Sequence, residues 1–278
     1  SFPTRRSSDL VKRFSARDGR IRLVDENSGH LGVVGNFSKL MTIAWREGAR
    51  VLFFADQDDL WHPEKIGKQL EFLAGMEKKF GADKPILVHS DLTLVDNRLK
   101  ILSESFMEFQ GINNESNLPL KVLLVQNYIT GCTIAANRAL LELALPVPDK
   151  ALMHDWWLAA CAAAFGEIGF VESPTVFYRQ HGANHVGAKS CRDMVNPFRT
   201  NLYDRWKVGE YHFHGSILQA KCLLDRLRKN SCKSKSGASK MIEAFSECLS
   251  VGRMNRLQCI RRMGLHRSEE RRVGKECA

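Results

Sequence analysis

Three carboxylates, Asp56, Asp58 and Asp59, crowd the end of the apolar run in Phe53-Phe54-Ala55-Asp56-Gln57-Asp58-Asp59-Leu60-Trp61-His62-Pro63-Glu64-Lys65. Like charges at this spacing repel, and the usual relief is a divalent cation with hard oxygen ligands, here Mg2+ or Mn2+ holding a diphosphate. The plainer reading is a solvated acidic turn in which Asp58 or Asp59 caps the following helix. A second acid, Asp155, stands in Met153-His154-Asp155-Trp156-Trp157. Between an imidazole and two indoles it is expected to be partly desolvated, which lifts a carboxyl toward the range of a general base. Its alternative is a helix N-cap with tryptophan packing behind it. A third cluster, Phe177-Tyr178-Arg179-Gln180-His181-Gly182-Ala183-Asn184-His185-Val186-Gly187, brings a guanidinium, two imidazoles and glycines. That composition suits a loop closing over an anionic group, although a single histidine such as His181 is more often structural.

The elements that must hold these residues follow from hydrophobic spacing. Val51 to Ala55 is an apolar run of strand length ending in acid, as a central strand covered on both faces would be. Ile21 to Val24 reads as a short strand, residues 36–45 as a helix stopped by Gly48, and Pro85 to Asp91 as a second apolar strand. Between them Ile66, Leu70, Leu73 and Met76 form a helical stripe. Residues 118–125 and 138–145 read as helices around a strand-like 131–136. Residues 155–164 read as a helix, and 168–178 as strand on either side of Pro174. The alternation predicts an α/β fold with a mostly parallel sheet and helices on both faces. From Gly215 onward three basic amphipathic helices are expected, one carrying Ala220, Leu223, Leu224 and Leu227 and the next Met241, Phe245, Cys248 and Leu249.

The charge is uneven. Of the net +10, residues 11–204 hold 22 Lys/Arg against 23 Asp/Glu, while residues 205–266 hold 13 against 4. A basic segment of that kind suits the anionic face of a membrane, or equally the solvated faces of helices packed on the domain. Apolar residues at 44% and charged residues at 26% exclude disordered, collagenous and coiled-coil classes. No apolar run is long enough to span a bilayer, no signal peptide is evident, and eight scattered cysteines without a C-x-x-C pair fit a reducing cytoplasm.

The ends stand apart. Ser1 to Leu10 and Arg267 to Cys277 translate complementary strands of one DNA segment that matches a common sequencing-library adapter. The expected organisation is therefore an adapter-derived segment at 1–10, a partial catalytic domain at 11–204, a basic helical segment at 205–266 and a second adapter-derived segment at 267–278.

Taken in order, several motifs resemble the family 2 glycosyltransferases of the GT-A fold, in their bacterial rhamnosyltransferase-like branch. They are Leu31-Gly32-Val33-Val34-Gly35-Asn36-Phe37, the Asp56 tetrad with Trp61, Pro63 and Lys65, His89-Ser90-Asp91, Thr130-Gly131-Cys132-Thr133, His154-Asp155-Trp156-Trp157 and Tyr178-Arg179-Gln180-His181-Gly182. The resemblance implies a Rossmann-like sheet whose first strands, with the nucleoside-binding loop, would lie upstream of Val11. It implies an inverting transfer of a sugar from a dTDP- or UDP-linked donor, rhamnose being suggested, to a saccharide or lipid-linked acceptor of the cell surface. By the same resemblance Asp56, Asp58 and Asp59 bind the donor, with Asp58 and His181 as metal ligands to Mg2+ or Mn2+. Asp155 is the catalytic base, and Gly131, Cys132, His154 and Trp156 lie on the acceptor side, Trp156 offering an apolar face to a sugar. A chain lacking the nucleoside half is expected to turn over poorly. Location would be cytoplasmic, with peripheral contact at the inner face of the plasma membrane.

Two rival chemistries touch the same residues. Asp-nucleophile phosphohydrolases also place D-x-D after an apolar strand, but no later Lys followed by a paired-Asp loop completes such a site here. Nucleic-acid binding by the basic segment would use its positive charge yet leave the acid tetrad and the His-Asp-Trp-Trp segment without a role, and no nucleic-acid partner is expected.

Overall fold

The computed structural model describes residues 5–24, 31–112, 114, 118–180, 202–230 and 234–249. In chain order its elements are α1 (Arg5–Ser15), α2 (Gly32–Arg46), β1 (Val51–Phe53), β2 (Leu60–Trp61), α3 (Lys65–Phe80), β3 (Ile86–Ser90), β4 (Thr93–Val95) and β5 (Ile101–Ser103). There follow α4 (Phe106–Gln110), α5 (Pro119–Leu123), β6 (Ala135–Asn137), α6 (Arg138–Ala144), α7 (His154–Phe165), β7 (Glu167–Val171), β8 (Val176–Arg179), α8 (Leu202–Lys229) and α9 (Ala238–Ser246). Short 3-10 turns cover Gly131–Thr133 and Glu247–Leu249.

The strands make two four-stranded sheets, ordered β1-β6-β3-β7 and β2-β8-β4-β5. Both are mixed rather than mostly parallel. In the first, β3 and β7 pair parallel while β6 runs antiparallel to β1 and to β3. The chain enters β6 through the 131–133 turn, at the edge where β1 and β3 end, and an element entering there must run against them. In the second sheet β4 and β8 are parallel, flanked by antiparallel β2 and β5. The strand-like segment around Pro174 thus divides between the sheets, and the acidic stretch 56–59 crosses from β1 of one sheet to β2 of the other.

Helices do cover both faces of the first sheet. Ile86 and Val88 of β3 pack with Leu73 of α3, whereas Leu87 faces the cluster that contains α6 and α7. Every residue of β3 is buried, the continuous apolar burial of a strand covered on both sides. At Gly169 of β7 an added Cβ would stand 2.4 Å from Met76 Sδ and 2.6 Å from Phe72 Cε1, so a side chain there would displace these residues of α3 from the sheet.

Helix α7 is buried along its whole length, as a helix apolar on all sides must be. Its two indole N–H groups are satisfied by carbonyls, Trp156 Nε1 by Leu123 at 2.6 Å and Trp157 Nε1 by Ala144 at 2.8 Å. Helix α8 buries Ile217, Ala220, Leu223, Leu224 and Leu227 in the same core, joined by Ile242 and Phe245 of α9 and by Cys248. Arg226 of α8 donates to the carbonyls of Leu143, Leu145 and Pro146 at 2.7, 2.6 and 2.9 Å. These oxygens would otherwise be orphaned at the end of α6.

Three sequence expectations change. Ile21–Val24 is irregular and unpaired with any described strand, although Arg22 of this segment holds Glu47 after α2. The first C-terminal helix begins at Leu202, well before Gly215. On α3 the fully buried face is Lys65, Gln69 and Leu73, while Ile66 and Leu70 are exposed. The third expected basic helix lies outside the described residues.

Candidate active site

Antiparallel pairing of β6 with β1 sets Phe53 opposite Ala135. The residues just after β1 and those just before β6 are therefore neighbours in space, which brings the acidic turn 56–59 against the 131–133 turn. The edge at which β1 and β3 end is also where open α/β sheets bind ligands.

At this junction ligand atoms of Asp56, Asp59 and Cys132 lie within 4.8 Å of one another. Desolvation, then the charge of Asp58, pushes the Asp56 carboxyl up. Desolvation raises Asp59 to about 6, against hydrogen bonds from the Arg179 amide and the Cys132 thiol. The Arg179 N–H reaches Asp59 Oδ1 at 3.2 Å, tying the acidic turn to β8. Cys132 is buried, and burial with the neighbouring Asp59 and Asp56 charges drives its thiol well above the ordinary range. Two of the three donors on offer to a cation are carboxylate oxygens. That set fits a hard ion such as Mg2+ or Mn2+ better than a thiolate-seeking one. Asp58 is not in the three-residue cluster and acts on its neighbours through charge; His181 lies outside the described residues.

Asp155 occupies the first turn of α7 and is buried. Its Oδ2 accepts the Gly131 amide at 3.0 Å and its Oδ1 the Trp156 amide at 2.6 Å. Burial lifts this carboxyl to about 6; the two amides pull it down, and the Asp56 charge adds to the rise. Glycine keeps this contact open, since a Cβ there would sit 3.2 Å from Asp155 Oδ2 and 3.4 Å from His154 Nε2 and a neighbour would have to give by a few tenths of an ångström. His154 is buried and stacks on Phe37 of α2 with centroids 3.8 Å apart. Burial lowers it to about 4, so its ring is neutral, and neither ring nitrogen has a hydrogen-bond partner among the described residues.

The structure thus gathers Asp56, Asp59, Gly131, Cys132, His154 and Asp155 at one junction. Trp156 turns inward instead, with its ring in the core and its N–H on Leu123, and presents no face to a sugar. Asp91 of the His-Ser-Asp motif is structural, accepting the Leu92 and Met107 amides at 2.8 and 3.2 Å and the Ser105 hydroxyl. Sequence reasoning gave no role to two residues under the site, Lys65, quoted only as part of the acidic motif, and Gln69. Lys65 Nζ bonds the Cys132 carbonyl at 3.0 Å, and Gln69 Nε2 bonds the Thr133 carbonyl at 2.6 Å. Their signal was the i, i+4, i+8 register of Lys65 and Gln69 with Leu73.

No protein-family model matches the chain. Over 147 residues it is 27% identical to an uncharacterized glycosyltransferase of Nostoc sp., covering 51% of this chain and 43% of that protein. Over 167 residues it is 25% identical to a dTDP-rhamnosyl transferase of Shigella flexneri, covering 56% of this chain and 52% of that one. The chain spans about half the length of the curated relatives it matches. With a mixed α/β architecture compatible with a Rossmann-like glycosyltransferase fold, both similarities relate this chain to the glycosyltransferases.

Proposed function

We propose that this chain carries the diphosphate and acceptor half of an inverting, metal-dependent glycosyltransferase of the GT-A, family 2, rhamnosyltransferase-like kind. The observation that carries the reading is the desolvated Asp155 carboxyl, held by the Gly131 amide beside the acidic turn. The donor is a nucleotide-diphosphate sugar, dTDP- or UDP-linked. The dTDP-rhamnosyl name of the Shigella relative favours rhamnose. The acceptor is a hydroxyl of a saccharide or lipid-linked saccharide of the cell surface.

Asp56 and Asp59 would hold Mg2+ or Mn2+ at the acidic turn, with Asp58 and His181 as the metal ligands that the family resemblance implies. When bound, Mg2+ or Mn2+ offsets the charge that develops on the departing diphosphate. Asp155 takes the proton of the acceptor hydroxyl as its oxygen attacks the anomeric carbon from the face opposite the diphosphate. The bond to the diphosphate oxygen breaks with its electron pair, and one displacement inverts the centre. Both oxygens of Asp155 accept backbone amides, which fixes the carboxylate plane and leaves lone pairs for the incoming proton. Neutral His154, with its ring nitrogens unengaged among the described residues, is suited to bond an acceptor hydroxyl.

Cation binding and dTDP release from dTDP-rhamnose test this reading. Mn2+ should bind, and the D56N/D59N variant should lose that binding. Release of dTDP should require Mn2+ or Mg2+ and stop with chelator. Equal Mn2+ affinity in D56N/D59N, or release indifferent to chelator, would contradict it.

A further inference from the structure

Lys65 is wholly buried. An ammonium out of water is costly unless its three donors find partners, and here each does. Nζ reaches Gln69 Oε1 at 2.9 Å, the Cys132 carbonyl at 3.0 Å and Thr175 Oγ1 at 3.4 Å, and it lies 5.0 Å from the Trp61 ring centroid. Desolvation lowers its pKa to about 8, and the Asp59 charge works against that fall.

The partners matter more than the count. The 131–133 turn is buried throughout, so its outward carbonyls have no water to bond. The Gly131 carbonyl accepts the Ile134 amide at 3.0 Å inside the turn. Those of Cys132 and Thr133 are taken by Lys65 and Gln69, one turn apart on α3. On the opposite side the same turn sends the Gly131 amide to Asp155. Thr175 extends the anchorage, its hydroxyl lying 2.6 Å from Ser90 Oγ at the end of β3. The turn is pinned through its carbonyls from α3 and through its first amide from α7.

We infer that Lys65 is a positioning residue: its ammonium holds the Cys132 carbonyl and thereby sets the Gly131 amide on Asp155, while placing a buried cation beneath the acidic turn. The inference rests on the reading of Asp155 as the base only for its consequence in catalysis. The positioning itself is a statement about the Gly131 hydrogen bond. A neutral donor could satisfy one carbonyl, but a lysine satisfies the carbonyl and also offsets the Asp59 charge.

The test follows the Gly131 amide in 15N-glycine-labelled full-length chain, its resonance identified by comparison with G131A. Lys65→Met keeps the length of the stem and removes the ammonium. The expected result is a changed Gly131 amide shift and exchange about tenfold faster, because the hydrogen bond is loosened. Lys65→Arg, which keeps charge and donors, should restore the shift. Leu73→Ala, a buried substitution on the same helix in another cluster, should leave it in place. An unchanged Gly131 amide in K65M, or an equal change in L73A, overturns the inference. If K65M does not fold, the unsubstituted chain decides: a hydrogen-bond coupling between Lys65 Nζ and the Cys132 carbonyl carbon upholds the contact, and its absence overturns it. Where transfer is measurable, K65M should reduce it roughly tenfold to a hundredfold; transfer unaffected by K65M overturns the inference. A shifted amide with no transfer by any variant upholds the positioning and counts against the enzymatic reading alone.

Discussion

The Gly131 amide donates to Asp155 Oδ2 at 3.0 Å, and a Cβ added at Gly131 would stand only 3.2 Å from that oxygen. Gly131→Ala should therefore push the carboxylate or the 131–133 turn aside. We expect a loss of about 1–3 kcal/mol in stability, typical of overpacking a buried contact. Transfer should fall together with stability. Thermal denaturation of G131A beside the unsubstituted chain checks the first, and nucleotide release the second.

Asp155 also makes stability depend on pH. Its folded carboxyl, raised to about 6 from 3.8, binds a proton more tightly than the unfolded chain does. Stability is thus full below the unfolded value and falls as pH rises through the window between the two, by up to roughly 3 kcal/mol. Asp59 is shifted in the same direction. Asp155→Asn, which cannot ionise, should flatten this fall, and denaturant titrations across the window measure it.

A cation that binds the acidic turn should stabilise the folded chain by linkage, and more when the carboxyls are ionised. Mn2+ should raise the melting temperature more at about pH 7 than at about pH 4. A shift that is equal at both, or one retained in D56N/D59N, would separate the cation from these carboxylates.

Much of this was legible in the residues before any coordinates. The strand at 86–90 and the helix over 154–165 stand within a residue or two of where hydrophobic spacing put them, whereas the apolar run into Asp56, expected as a central strand covered on both faces, is a half-buried strand at the end of its sheet among the described residues. The direction of β6 was not legible, because a three-residue strand reads the same in either sense and only its turn of entry fixes its polarity. The pairing of Trp61 with Val176 was hidden too, since two residues of β2 carry no alternation to read. On α3 the amphipathic pattern misled: the buried face includes Lys65 and Gln69, whose polar ends are consumed by loop carbonyls that no sequence pattern displays. Trp156 looked like a sugar platform because an aromatic beside a candidate base can serve as one, yet its indole N–H found the Leu123 carbonyl within the core.

The basic C-terminal helices belong to that same core. Arg226 stacks its guanidinium 5.7 Å from the Trp157 ring centroid while closing the end of α6. Arg226→Met should cost about 1.5–3 kcal/mol, the range for hydrogen bonds to a charged group. Mn2+ affinity should not change, and urea unfolding with a parallel metal titration distinguishes the two effects.

In the proposed reaction Asp155 is the base of a sugar transfer whose donor is held at the acidic turn. Asp155→Asn tests it most directly, because asparagine retains an acceptor for the Gly131 amide and fills nearly the same volume. With dTDP-rhamnose, Mn2+ and a saccharide acceptor, the account predicts unchanged Mn2+ binding and a loss of acceptor-dependent dTDP release of about a hundredfold or more. Release by D155N at the rate of the unsubstituted chain, where that rate exceeds release without protein, would count against it.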